Sequence, residues 1–156
     1  MSLQLNRVLL PTRFSELSRH AAEYVGLLLG KFDSELHVLH VVPHTEMIVD
    51  GGMPPMSMPI PGPSSQELLA DSDRRLLEFV NATIPALLPR TRTFSVIGGI
   101  TDEIIRHATQ HSVDLIVMGT HADGMLKRVV FGSVGKGVLE GSPCPVLLVP
   151  ARDAPR

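Results

Sequence analysis

The sequence predicts an α/β, Rossmann-like domain: an open five-stranded parallel sheet with helices on both faces. Three observations predict it. Short apolar runs without alternation, such as Leu115-Ile116-Val117-Met118 and Val146-Leu147-Leu148-Val149, are the pattern of strands covered on both faces by helices. Between such runs lie segments whose apolar residues recur at the helical period, so strands and helices alternate along the chain. Finally, 156 residues with 44% hydrophobic and 19% charged side chains suit one domain, 1–156, with a sizeable core, and are too few for two ordinary domains.

Taken in order, residues 7–10 make the first strand, stopped by Pro11. Ser15 caps a helix on which Leu17, Ala21, Tyr24, Val25, Leu28 and Phe32 follow the helical period, with Gly30 near its end. Residues 36–42 are the second strand. His37 and His40 lie three apart on it, hence on opposite faces, which argues against a shared metal ion. Residues 43–64 hold six prolines, four methionines and Gly51, Gly52 and Gly62 with no period. They read as a flexible Met/Pro-rich loop at the carboxyl edge of the sheet, placed to act as a lid or to meet a protein partner. Residues 66–88 form an amphipathic helix with Leu68, Ser72, Leu76, Phe79, Val80, Thr83 and Leu87 on one stripe, ended or bent by Pro85. Residues 91–97 are the third strand. Gly98-Gly99 turns the chain into a helix that starts at Thr101 or Asp102, carries Ile104, Ile105 and Ala108, and ends near His111-Ser112. Residues 115–118 are the fourth strand, ended by Gly119. A loop leads to a helix from Ser133 with Val134, Val138 and Leu139, and residues 146–149 are the last strand.

The stretch 114–150 carries the chemistry. A parallel strand delivers the chain to the carboxyl edge of a sheet, and a helix starting at Ser133 turns unpaired N–H groups and its positive dipole end toward that edge. An anion fits there. Gly119 and Gly132 allow close approach to the backbone, Ser133 offers a hydroxyl, and Lys127 with Arg128 adds positive charge. An ordinary strand-to-helix loop with a serine cap and a solvated basic face has the same composition, so the glycines alone do not decide.

The stretch resembles the universal stress proteins. Their nucleotide-binding members carry glycine, two residues, glycine, nine residues, then Gly-Ser or Gly-Thr, between a strand ending like DLIVMGTHG and a strand like PCPVLVV. Here Gly119 is followed by Thr120-His121, Ala122 at the second glycine's position, and nine residues to Gly132-Ser133. The likeness extends to VLLPTRFSELS at 8–18 and ELHVLHVV at 35–42, leaving only 43–64 outside. It implies the strand order 3-2-1-4-5, with ligand in the crevice where the connections of strands one and four part. It also implies roles: Thr12 and Arg13 on adenosine, Val41 where backbone groups hold adenine, and Gly119, Gly132, Ser133 and Val134 about the phosphates. Pro11, Met118, His121 and Ala122 complete that nucleotide site.

Two positions depart from the family pattern. The family's first loop reads PTDFS, with an aspartate that accepts hydrogen bonds, whereas Arg13 has no acceptor. Ala122 would cost about 1–2 kcal/mol if the glycine it replaces has a left-handed backbone, and its methyl would crowd a phosphate. The resemblance therefore implies a stress-response protein that binds ATP, with Mg2+ possible, or AMP, as a non-catalytic sensor or regulator, more weakly than a family member with the unaltered pattern. Arg13 and Ala122 keep open a second reading, a universal stress protein without nucleotide that acts through protein contacts. A slow ATP hydrolase using His121 is the third. No carboxylate pair, metal cluster or activated nucleophile accompanies His121 in the sequence, so no enzyme activity and no metal site is expected.

Lys and Arg total 14 against 16 Asp and Glu, a net charge of −2, which makes no field to hold nucleic acid or an anionic membrane. No apolar run approaches a membrane span and no secretory pattern opens the chain, so a cytoplasmic protein is expected. Cys144, the only cysteine, reads as a small core filler beside a strand. The strand 146–149 has no polar residue and lies at the sheet edge in the implied order. Such an edge calls for cover, and a homodimer through this strand is expected.

Overall fold

The computed structural model describes residues 4–44, 62–123, 128–130 and 132–150. In chain order the elements are β1 (Arg7–Pro11), α1 (Glu16–Leu29), β2 (Glu35–Pro43), α2 (Ser65–Thr83), a 3-10 turn (Pro85–Arg90), β3 (Thr91–Gly98), α3 (Ile100–Gln110), β4 (Leu115–Asp123), β5 (Arg128–Val130), α4 (Ser133–Gly141) and β6 (Val146–Pro150). Strands β3, β2, β1, β4 and β6 pair side by side in that order, all parallel, with Leu9 beside His37 and Ile116, and Ile116 beside Val146. The expected order 3-2-1-4-5 therefore holds, with β6 as its fifth strand.

Strand β4 departs from expectation. It does not end at Gly119 but runs on to Asp123, and His121, Ala122 and Asp123 pair antiparallel with Val130, Val129 and Arg128 of β5. Among the described residues β4 pairs with β6 as far as Thr120 beside Pro150, and from His121 onward it also takes β5 as a partner. Part of the expected glycine loop is thus a short ribbon. Of the expected Met/Pro-rich loop 43–64, residues 45–61 lie outside the described residues.

Alternation along the strands divides the core. Val8 and Leu10 of β1, Leu36 and Val38 of β2, and Val117 of β4 meet α1 and α2, while Leu9, Leu39, Val41, Ile116 and Met118 meet α3 and α4. Burying each leucine side chain contributes about 1.5–3 kcal/mol. As its position predicts, His37 faces the α3 side and His40 the α2 side, where its Nδ1 lies 2.7 Å from the Ser72 hydroxyl.

Helix α1 starts where expected, with the Ser15 side chain accepting from the Ser18 N–H. Its buried stripe is Ser18, Ala21, Ala22, Val25 and Leu29, rotated from the expected one. Tyr24 and Phe32 are exposed. The amino-terminal half of that stripe, Ser18, Ala21 and Ala22, is small, and the first turn of α1 passes over β4 at backbone contact distance. Gly30 ends the helix with right-handed dihedrals.

Helix α2 opens on a capping box, Ser64 with Glu67. It ends at Thr83, since Ile84 precedes a proline and takes an extended φ of −138°. Helices α3 and α4 pack closely at two glycines: a Cβ on Gly137 would lie 2.7 Å from Thr101 Cγ2, and one on Gly141 2.5 Å from Ile105 Cδ1. Cys144 is half-buried against this layer, in keeping with a filler, and burial pushes its thiol pKa up.

Candidate functional site

The carboxyl ends of β1 and β4 part in the middle of the sheet, and a crevice with a cavity of about 130 Å³ opens there. Of the expected site residues, Pro11, Thr12, Arg13, Val41, Met118, Gly119, Gly132 and Val134 line it. Ser133 opens α4 beside it without lining it. His121 and Ala122 lie on the outer half of β4. Ala122 is in extended backbone opposite Val129, so the left-handed cost set against it does not arise.

Sequence reasoning missed the apolar back wall, Ile100 and Ile104 of α3 with Leu148 of β6, and it missed Gly135. Ile104 carried a signal as a buried helix position. Nothing in the sequence places it in the crevice rather than simply in the core.

Loop 12–15 is held at each step. The Thr12 N–H donates to the Leu39 carbonyl at 2.8 Å, the Arg13 N–H to the Ser18 hydroxyl at 3.1 Å, and the Phe14 N–H to the Thr12 hydroxyl at 3.0 Å. Phe14 has φ 61°, a conformation rare for a bulky residue and costly by about 1–3 kcal/mol. Its ring is packed on the other side of the sheet: 4.5 Å from the His40 ring, 6.0 Å from Phe79, and with the Arg75 guanidinium 4.3 Å from its centroid. Burial, with Arg75 nearby, pushes His40 below the ordinary imidazole pKa, so it is neutral in this contact. The outcome is that Thr12 and Arg13 turn toward the crevice while Phe14 turns away. Arg13 is exposed and is the only charged side chain among the described lining residues.

Helix α4 presents its amino end here with glycines at its first turn. Gly132 has φ −61°, and among the described residues a Cβ added at Gly132 or Gly135 meets nothing within 4 Å. Gly119 differs, since its Cβ would meet the Leu17 carbonyl. One glycine is thus required by packing, and two leave open space in front of unpaired N–H groups.

Among the described residues no helix is long and apolar enough to cross a membrane. Against known proteins, residues 4–150 match the model of the universal stress protein family. A curated relative, the universal stress protein MJ0531 of Methanocaldococcus jannaschii, is 29% identical over 92% of this chain and 81% of its own length. Among solved structures, a universal stress protein in complex with cAMP superposes with a TM-score of 0.64 at 19% identity, covering 92% of this chain and 96% of that one. A universal stress protein of Archaeoglobus fulgidus in complex with dAMP gives a TM-score of 0.62 at 15% identity, covering 94% and 98%. The sheet order, the forked crevice and a family match across nearly the whole sequence agree, and the chain belongs to the universal stress protein family.

Proposed function

We propose that the crevice binds an adenine nucleotide, ATP or AMP, and that the protein acts as a non-catalytic sensor or regulator. The observation that carries this reading is the pair Gly132 and Gly135. Neither is glycine for a positive φ, and neither is glycine to make room for another part of the described chain. The space they leave faces a helix amino terminus, which suits a phosphate. The cavity itself is ring-sized and backed by Ile100, Ile104 and Leu148, which suits a base, with sugar and phosphates running out along the glycines. The relatives in complex with cAMP and dAMP make adenine the natural choice of base. Arg13, at the rim, replaces an acceptor for the nucleoside with a donor for phosphate.

Calorimetric titration with ATP, with and without Mg2+, and with AMP and adenosine tests the reading. Arg13→Ala is expected to weaken ATP about tenfold, roughly 1.4 kcal/mol, and to leave adenosine unchanged. Absence of binding by any of the three ligands at millimolar concentration would replace this reading with the one based on protein contacts.

We also infer a homodimer through β6. The Ile116 N–H donates to the Pro145 carbonyl at 3.0 Å. Because residues alternate sides in a parallel ladder, Leu147 and Val149 turn their backbone groups to β4, and Val146 and Leu148 turn theirs to the other edge, where no strand pairs among the described residues. Leu147 is also 37% exposed on the sheet face. A second copy pairing antiparallel across a two-fold axis would satisfy the edge and cover Leu147. Leu147→Lys is expected to give a folded monomer by sizing with light scattering, at a concentration where the unaltered chain is a dimer. A monomeric unaltered chain would remove the inference.

A further inference from the structure

At the amino-terminal edge of the sheet, away from the crevice, three imidazoles converge. His37 projects from β2, His107 lies in the last turn of α3, and His111 caps that helix. His37 and His107 are buried and His111 is half-buried. One ring nitrogen from each lies within 4.8 Å of the others, and His37 Nδ1 is 2.9 Å from His107 Nε2. The Phe94 ring walls the cluster, 4.8 Å from His37 and 4.5 Å from His107. On its far side His37 Nε2 lies 2.6 Å from a Glu35 carboxylate oxygen.

We propose that His37, His107 and His111 form a binding site for a zinc-class divalent cation, with Glu35 as the outer partner that orients His37. A carboxylate only accepts, so Glu35 places the ring proton of His37 on Nε2 and leaves the Nδ1 lone pair aimed into the cluster. Carboxylate partners of this kind commonly fix metal-binding histidines. His107 and His111 stand four apart at the end of a helix, a spacing that sets two imidazoles on one face as a ligand pair. Burial holds His37 below the ordinary imidazole pKa against the pull of Glu35, and lowers His107 to about 4. The His37–His107 contact has one ring donate its proton to the other, and with His37 Nδ1 as acceptor, His107 offers Nε2 to a cation once its ring proton moves to Nδ1.

The donor set selects the metal. Magnesium and calcium demand oxygen ligands, whereas three imidazoles suit zinc and its neighbours in the transition series. Zinc–nitrogen bonds of about 2.0–2.1 Å put tetrahedral ligands about 3.3 Å apart. The 2.9 Å pair is already close to that, and the widest gap closes by turning the half-buried His111 ring at the helix end. Water would complete the shell, as in open zinc sites. Arg7, whose guanidinium donates to the His111 carbonyl at 2.6 Å, and Arg92, 3.8 Å from Glu35, add positive charge near the site. They weaken it relative to a site with a carboxylate ligand.

The test is a titration of the metal-stripped full chain with ZnCl2 and CoCl2. One equivalent is expected to bind, raise the thermal midpoint, and with cobalt give the visible bands of a four- or five-coordinate ion, while MgCl2 has no such effect. His111→Asn is expected to weaken zinc tenfold or more, and His20→Gln, a half-buried histidine on α1, to leave it unchanged. No zinc binding below roughly 0.1 mM, or equal affinity in His111→Asn, would overturn the proposal. If that variant fails to fold, ring-nitrogen NMR of the unaltered protein decides. Zinc-induced changes at His37, His107 and His111 support the site, and changes confined to other histidines overturn it.

Discussion

Gly119→Ala is expected to destabilise the fold by about 1–3 kcal/mol and to disturb the crevice at the same time. Gly119 sits in β4 where the first turn of α1 crosses it. A Cβ there would meet the Leu17 carbonyl oxygen, with the Leu17 carbonyl carbon 2.8 Å and its Cβ 2.9 Å away. These are backbone atoms or atoms bonded to them, so no side-chain rotation relieves the contact. Either α1 lifts from the sheet, loosening Ala21, Ala22 and Val25, or β4 bends away from β1 and β6. Urea unfolding should show a lower midpoint with an unchanged slope. A midpoint equal to that of the unaltered chain would show that α1 slides without cost.

Gly135→Ala is expected to do the reverse for stability and more damage to binding. Alanine in place of a helical glycine stabilises by about 0.5–1 kcal/mol, and here the added methyl meets nothing within 4 Å among the described residues. That methyl stands in the lining of the crevice, before the amino end of α4. Nucleotide affinity should fall tenfold or more, about 1.4 kcal/mol, while the thermal midpoint rises. Opposite signs in two measurements on one variant separate a lost ligand contact from a damaged fold. Unchanged affinity would show that the ligand does not run past α4.

The parallel sheet was legible because its signal is local: β1, β4 and β6 each carry a short apolar run, and each helix but the first shows its stripe. Helix α1 was misphased because its sheet side begins with Ser18, Ala21 and Ala22, and hydrophobicity alone favours Tyr24 and Phe32 over such small residues. The close passage over Gly119 that demands them is a tertiary fact. The β5 ribbon escaped because Arg128-Val129-Val130 is too short to show alternation, and it becomes a strand only by pairing with β4. The polar half of the crevice was legible through the family resemblance, the apolar half not, since Ile100, Ile104 and Leu148 look like any core residues. The histidine cluster shows the same limit. In the sequence His37 stands beside His40, while its partner His107 lies 70 residues away; the spacing of His107 and His111 is the part of the cluster that the sequence displays.

Phe14 bears on how variants of this protein would be screened. A residue that adopts its left-handed φ without cost, such as glycine, relieves about 1–3 kcal/mol of backbone strain and gives up the ring contacts with His40, Phe79 and Arg75. These contributions are of similar size and opposite sign. Melting temperature is therefore a poor reporter at position 14, and a library selected for heat resistance would pass chains in which Thr12 and Arg13 no longer point into the crevice. Only a binding readout would separate them from the native arrangement.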